Sequence, residues 1–553
     1  MTAIASLVDL LDSRARHQSD KRAFVFLADD GRPTNQLTFG QLRAASISVA
    51  ARLVARGARA GDRAMLAFPP GLDFIVALFG CLTAGLVAVP LPPPRRAAHG
   101  DTSAGVLVDC SPRFGLASAG ASSPSVPDGV ALEWISLPVE PPTDESGPDA
   151  FYRPSSDSLA LLQYTSGSTS SPKGVMLSHA NLLANLEMIR GVFQHSEAST
   201  HVSWLPLHHD MGLILNVLAA LHAGATCVLM APVSFLQRPL TWLKAIDTFG
   251  ATVAGGPNFG FDLCVSRFRP EVMEGVDLSR WQVAINGAEP VRTATMERFS
   301  AVFGRYGFRP SAFRPSYGLA EASVLVSAAR EWESPVSCGP ALAGEELAIV
   351  DPVGCTRLEA GQVGEIWVRG PNVAAGYWCN REASDETFGG MIAGEPDARW
   401  LRTGDLGHLD RAGVLFVAGR LKDLIIVRGI NHYPQDIEDT VQAADPALRA
   451  GFGAAFSVPD ADSLERVIVV QEVERSRRHA LDVEEIVGTI REAVAEKHGL
   501  ALHDVLLVDP GSIPRTTSGK IRRQLTRMMW QEGRLTARLI RNGGYSPART
   551  DPR

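Results

Sequence analysis

The chain lacks an apolar run of the ~20 residues that a membrane span requires. Its most apolar stretch, Phe74 to Val89, is shorter and is broken by Gly80, Thr83 and Gly85, so a buried helix leading into a strand is expected there. Paired cysteine spacing is also missing. Cys81, Cys110, Cys227, Cys264, Cys338, Cys355 and Cys379 are scattered, which indicates neither a zinc site nor a disulfide framework, and they are read as reduced thiols. Nor is there a large excess of one charge. A net charge of −7 with 20% charged residues gives no general attraction to nucleic acid or anionic membrane. The amino-terminal stretch has acidic residues within its apolar part and lacks the basic, apolar, small-residue order of a signal peptide. A cytoplasmic protein is expected. No internal repeat or long low-complexity segment occurs.

At 553 residues the chain is too long for one core, and the usual ~100–200 residues per domain would suggest about three units. A large multi-layer domain with a smaller one is expected. Helical and strand signals alternate through most of the length. In His179 to Phe193, Leu182, Leu186, Ile189 and Phe193 share one helical face. Ala251 to Pro257, Trp281 to Gly287 and Gly364 to Gly370 read as short strands ending in turn residues. The fold class is therefore α/β. Ala117 to Asp128 and Pro141 to Gly147 are rich in Ser, Pro and Gly and read as surface loops. Near the carboxyl end, two strand-like runs flank Gly419 to Asp423, and helix-like segments such as Val483 to Val494 follow. A domain boundary at Arg420 to Lys422 divides the chain into 1–421 and 422–553.

The most telling segment is Tyr164 to Val175, YTSGSTSSPKGV. Glycine lets backbone approach a ligand closely, hydroxyls and amides donate to phosphate oxygens, and Lys173 adds a compact positive charge. That is a mobile polyphosphate cradle for ATP; the alternative is a Ser/Gly-rich linker. It is not a P-loop, because Lys173 stands between Pro172 and Gly174 instead of preceding Ser or Thr. Ser203 to Leu213, SWLPLHHDMGL, reads as a loop between apolar segments that offers an imidazole to position a substrate, although histidine pairs are often structural. In Pro315 to Ser323, PSYGLAEAS, Tyr317 is a flat stacking surface and Glu321 a hard oxygen ligand for magnesium, or else a solvated glutamate in a turn. Trp400 to Gly407 puts Asp405 where a carboxylate can accept two ribose hydroxyls, and Ser512 to Arg523 sets Lys520 in a turn before a basic helix.

The order and spacing of these segments resemble the adenylate-forming superfamily of acyl-CoA synthetases, adenylation domains and luciferases. STSSPKGVM, SWLPLHHDMGL, GGPNFGFDLC at Gly255 to Cys264 and RGINHYPQDIE at Arg428 to Glu438 look like its fatty acyl-AMP ligase branch. The resemblance implies a large amino-terminal adenylation domain and a small mobile α+β carboxyl-terminal domain. It implies that Thr165, Ser166, Gly167, Ser168, Thr169 and Lys173 hold the phosphates and Glu321 a Mg2+ ion. Gly287, Ala288, Glu289, Tyr317 and Gly318 would bracket adenine, and Asp405 and Arg420 would hold the ribose. His209 would orient or gate the carboxylate, Lys520 would reach in during adenylation, and Lys422 would be the hinge. Met211, Gly212, Asn258 and Phe259 would line the acyl pocket.

The implied reaction joins a fatty acid to AMP with loss of pyrophosphate, then passes the acyl group to the phosphopantetheine thiol of an acyl carrier protein. CoA is the alternative acceptor, and a noncatalytic homologue is a third class. Such ligases typically carry an insertion after the Glu321 motif that disfavours CoA. Here only Ala322 to Pro335 separates Glu321 from Val336-Ser337-Cys338-Gly339, so the insertion is missing or severely shortened. From Arg515 to Arg541 there are eight Lys/Arg residues against one acidic residue, a candidate surface for an acidic carrier in which Arg523 and Arg527 would take part.

Overall fold

The computed structural model describes residues 4–93, 102–120, 126–127, 129–138, 152–165, 172–428, 430–459, 465–477, 481–516 and 519–535. Two compact units emerge: Met1–Thr403 with Gly407–Val417, and Gly404–Leu406 with Ala418–Arg553.

The first unit is built on two large sheets. The eight-stranded sheet runs in the order Ser327–Ala328, Phe313–Tyr317, Val283–Asn286, Val253–Gly256, Thr200–Ser203, Thr226–Met230, Arg22–Leu27, Pro33–Thr38. Its six inner strands are mutually parallel and the outermost two antiparallel. Parallel strands need crossover connections, and the intervening helices bury the sheet, so these strands read as short apolar runs. The six-stranded sheet runs Glu133–Leu137, Phe114–Ser118, Arg63–Leu66, Val87–Pro90, Leu159–Thr165, Lys173–Ser178, parallel except for its last hairpin.

The expected elements are in place. The helix Asp73–Thr83 and strand Val87–Pro90 occupy the apolar stretch that is too short to cross a membrane. The helix His179–Phe193 begins where the Ser178 hydroxyl accepts the Asn181 N–H at 3.1 Å while the Asn181 side chain accepts the Ser178 N–H, also at 3.1 Å. Leu182, Leu186, Ile189 and Phe193 are all buried on its inner face. Ala117 and Ser118, read from sequence as part of a loop, complete the strand Phe114–Ser118, because pairing with Glu133–Leu137 outweighs their small size. Residues 121–125, 128 and 141–147 lie outside the described residues. A separate aromatic core includes Trp242, Phe261, Trp281 and Phe299, with Phe261 and Phe299 edge to face at 5.1 Å.

A four-stranded sheet of Glu346–Val350, Gly364–Arg369, Leu401–Leu409 and Leu415–Arg420 follows, and the chain leaves the first unit along its last strand. The second unit centres on the sheet Leu448–Pro459, Glu465–Val473, Leu502–Val508. The helix Val483–His498 buries Val483, Ile486, Val487, Ile490 and Val494, a period of three and four, and ends at Gly499 with φ +65°. Among the described residues no helix is long and apolar enough to cross a membrane.

Three buried histidines, His179, His195 and His201, and the partly buried His222 are expected to make this fold acid-sensitive. His195 and His201 meet edge to face at 4.7 Å, and His179 Nδ1 accepts the Leu7 N–H at 3.2 Å. Burial lowers His179, His195 and His222 to about 4, in His222 against the pull of Glu187, and lowers His201 further. Because the folded chain holds them neutral, the unfolded chain takes up their protons first. Stability is full above the unfolded value of ~6.5 and falls by about 1.4 kcal/mol per histidine per pH unit as pH drops toward 4. Thermal unfolding recorded from pH 7.5 to 5 should show this fall, and His195→Gln should make it shallower by about one proton; an unchanged slope would remove His195 from the account.

Candidate active site

Parallel pairing decides where the motif residues meet. The carboxyl ends of Thr200–Ser203, Val253–Gly256, Val283–Asn286 and Phe313–Tyr317 lie on one edge of the sheet, with Ala254 opposite Ala284 and Ala284 opposite Phe313. From that edge emerge, in turn, the segment to His209, Asn258, Gly287 to Glu289, and Tyr317 with Gly318. This is where open α/β sheets bind ligands. Ala288 is held at φ +73°, an unusual conformation for a residue with a Cβ.

Glu321 sits in the 3-10 turn Ala320–Ala322, which is stitched from outside. The Ala374 N–H donates to the Glu321 carbonyl at 2.8 Å, and the Ser323 hydroxyl donates to the Asn372 carbonyl at 2.8 Å. The Asn372 amide in turn donates to the Ala322 carbonyl at 3.1 Å and to buried Glu345 at 2.7 Å. Burial pushes the Glu345 carboxyl up to about 8, against the pull of the Asn372 bond. The start of the turn is tight as well, because a Cβ on Gly318 would stand 1.9 Å from the Val324 carbonyl oxygen. Gly318→Ala must therefore displace the turn. A shift of about 1 Å in a positioning group costs ~10²-fold in rate. On the sequence-based expectation that Glu321 serves adenylation, pyrophosphate release should fall by about that factor while the circular dichroism spectrum stays native; full activity would show that the turn yields without moving Glu321.

The hairpin of Leu159–Thr165 and Lys173–Ser178, part of the six-stranded sheet, approaches the segments that leave this edge. Thr165 and Lys173 face each other across its mouth, while Ser166, Gly167, Ser168 and Thr169 lie outside the described residues. The strand Lys173–Ser178 is bordered by the segment around Tyr377, with the Met176 N–H donating to the Gly376 carbonyl at 2.9 Å and the Trp378 N–H to the Gly174 carbonyl at 2.8 Å. In consequence Lys173 Nζ stands 4.9 Å from the centre of the Tyr377 ring, and the Tyr377 hydroxyl donates to Glu321 Oε1 at 2.8 Å. Burial, reinforced by Glu321, raises the phenol's pKa, so it remains a proton donor.

At its other side the hairpin holds the histidine segment, through Gln163 Nε2 donating to the His208 carbonyl at 2.9 Å. The His208 and His209 rings lie 4.6 Å apart. Ser203 to Leu213, read from sequence as a loop, turns helical at Asp210–Gly212 and continues as a π-helix over Leu213–Leu218. The wider turn is a feature often found at functional sites. Gly212 allows it, since a Cβ there would lie 2.1 Å from the Pro206 carbonyl oxygen. Phe259 packs edge-on against Trp204 at 5.5 Å, and Met211 packs on the same aromatic core. Asn258 is buried and bonded: its oxygen accepts from Asn286 and from the Arg292 N–H, each at 3.1 Å, and its Nδ2 donates to the Pro290 carbonyl at 2.9 Å. Its amide shapes the turn that holds Gly287 to Glu289.

In the second unit, Asp405 and Arg420 form an ion pair at 3.2 Å, and Lys422 lies in the 3-10 turn Leu421–Asp423. Lys520 is fixed by its backbone: its N–H donates to the Thr516 hydroxyl at 3.0 Å and its carbonyl accepts the Thr516 N–H at 2.8 Å. The basic helix extends over Arg523–Gln531. One expectation for it is corrected. Arg523 does not contribute to a free basic surface, because its guanidinium grips both oxygens of fully buried Glu438 at 2.7 Å.

Residues 11–378 match the AMP-binding enzyme family, and 422–539 match the AMP domain of the Disco-interacting protein 2-like family. The chain is 40% identical to the medium-chain-fatty-acid–[acyl-carrier-protein] ligase JamA of Moorena producens, over 96% of each protein. It is 36% identical to the long-chain-fatty-acid–AMP ligase FadD32 of Mycolicibacterium smegmatis, over 97% of this chain and 96% of that one. The crystal structure of a fatty acyl-adenylate ligase from L. pneumophila, in complex with acyl adenylate and pyrophosphate, superposes with a TM-score of 0.72 at 39% identity, covering 95% of this chain and 96% of that one. The chain belongs to the fatty acyl-AMP ligases.

Two contacts in this fatty acyl-AMP ligase escape a motif reading. Gln163, just ahead of the hydroxyl-rich segment, looks like an ordinary strand residue, and Tyr377 lies 56 positions beyond Glu321. The Ala-Gly-Tyr-Trp sequence after the strand Gly364–Arg369 is the one local hint, since Gly376 takes a φ of +142°.

Proposed function

We propose that this fatty acyl-AMP ligase activates a fatty acid with ATP and passes the acyl group to the phosphopantetheine thiol of an acyl carrier protein. The observation that carries it is the meeting of Lys173 and Glu321 at Tyr377, beside the sheet edge from which the His209 segment also emerges. A carboxylate is a poor electrophile and must first acquire a good leaving group. An oxygen of the acid attacks the α-phosphorus of ATP, the bond to the β-phosphate oxygen breaks, and pyrophosphate leaves with the electron pair. Lys173 and Lys520 stabilise the charge on the five-coordinate phosphorus and the leaving group. His209 orients the carboxylate, Gly287 to Glu289 with Tyr317 and Gly318 bracket the adenine, and Asp405 with Arg420 holds the ribose. Met211, Gly212, Asn258 and Phe259 border the acyl chain. In the second step the thiol sulfur attacks the acyl carbonyl and AMP departs.

Magnesium suits Glu321, a hard carboxylate steadied by a hydroxyl where substrate phosphates supply further oxygens, and when bound it would neutralise phosphate charge. Residues 1–421 then form the adenylation domain and 422–553 a lid that turns at Lys422. An ATP-consuming enzyme with seven free cysteines suits the cytoplasm.

CoA is the second reading, favoured by one observation. Between Glu321 and Cys338 the backbone forms only the end of the turn, the two-residue strand Ser327–Ala328 and a short connection, leaving no place for the CoA-disfavouring insertion. Mass spectrometry of a fatty-acid panel with ATP, magnesium and either CoA or holo carrier protein separates the two. Acyl-AMP that persists with CoA and yields acylated carrier supports the proposal. Efficient acyl-CoA formation supports the second reading, and no adenylate from any acid would overturn both.

A further inference from the structure

We infer that Tyr377 is a positioning residue that sets Glu321 and Lys173 jointly for the polyphosphate of the nucleotide. The inference rests on the proposed roles of those two residues and adds the side chain that links them. Tyr377 is 6% exposed and contacts both charges through different parts of itself: its hydroxyl donates to Glu321 Oε1 at 2.8 Å, and its ring lies 4.9 Å from Lys173 Nζ. A hydrogen bond to one carboxylate oxygen limits rotation of the group about its Cγ–Cδ bond. An aromatic face holds an ammonium without supplying a counter-charge, so the lysine keeps its full attraction for phosphate.

The tyrosine is itself braced. Its N–H donates to the Ser384 hydroxyl at 2.8 Å, its ring meets Phe388 edge to face at 5.2 Å, and its backbone bridges Val175 next to the phosphate hairpin. These contacts restrict both the ring and the backbone that carries it. The arrangement is a two-point gauge that fixes the carboxylate relative to the lysine before nucleotide arrives, which is the preorganisation that multidentate phosphate binding requires.

The two contacts are separable by substitution. Tyr377→Phe deletes the hydroxyl and keeps the ring; Tyr377→Leu deletes both. The test is calorimetric titration of the full chain with ATP, with and without magnesium and without fatty acid, beside unfolding temperatures. For Tyr377→Phe, affinity for ATP with magnesium should fall about tenfold, as for loss of a hydrogen bond to a charged group, while affinity without magnesium stays at the wild-type value. For Tyr377→Leu both affinities should fall. Tyr377→Phe matching wild type in both titrations would overturn the inference, as would equal losses in both that follow a lowered unfolding temperature. Wild type whose ATP affinity responds neither to magnesium nor to Glu321→Gln would instead overturn the role given to Glu321, and the inference with it.

Discussion

Replacing Lys520 with alanine is expected to abolish acyl-adenylate formation, by ~10²-fold or more, yet to spare transfer of the acyl group from supplied acyl-AMP. The reasoning follows the charge. In the first half-reaction the phosphorus becomes five-coordinate and pyrophosphate gathers negative charge, so a positioned ammonium lowers that barrier directly. In the second, charge develops on the acyl carbonyl oxygen and the departing AMP, and the thiol needs an open approach. The turn that bears Lys520 is closed by reciprocal bonds with Thr516 and by pairing of Arg515 with Ile521, so the lysine is presented by a defined backbone. Pyrophosphate release and single-turnover transfer, measured separately on K520A, give the answer. Comparable loss in both half-reactions would refute the assignment.

The second large effect concerns stability. Glu438 is fully buried in the helix Pro434–Ala444, and Arg523 binds both its oxygens at 2.7 Å while the Ala455 N–H donates to Oε1 at 3.0 Å. Nearby, Gln524 Nε2 donates to Asp423 Oδ1 at 3.1 Å, and Arg523 lies 3.9 Å from the same carboxylate. Removing the guanidinium leaves a carboxylate out of water and without its charge partner, which costs about 3–5 kcal/mol. R523A should lower the denaturant midpoint of the second unit accordingly, and pairing it with E438Q should restore much of the loss. A shift within about 0.5 kcal/mol, the range of ordinary surface substitutions, would show the pair to be dispensable. The result also bears on carrier docking. Charge reversal at Arg523 would weaken transfer through damaged structure, so a docking test belongs at exposed Arg522 and part-exposed Arg527.

Most elements could be read from local pattern because their signals are local. Ser178 and Asn181 start a helix four positions before its first buried leucine, and a period of three and four carries it to Phe193. The strands Val253–Gly256 and Val283–Asn286 are short apolar runs closed by turn residues. The start of a helix at Asp210 was not legible, because Gly212 and the π-turn depend on a backbone approach from Pro206 and on packing farther along the chain. Arg523 could not be told from its exposed neighbours, since in a basic run nothing local distinguishes the arginine that faces a buried glutamate 85 positions away.

By itself the sequence determined the α/β class, the helices and strands with strong periodicity, and the family, whose motifs are contiguous and carry their chemistry in residue type and order. Only the tertiary structure decided which of those motifs touch. Lys173, Glu321 and Tyr377 meet because parallel pairing puts several strand ends on one edge and because the segment around Tyr377 lies along the hairpin strand. Such encounters depend on register and on backbone approach between distant segments, and the physical terms that set them, burial and long-range hydrogen bonding, leave no periodicity in the residues they join.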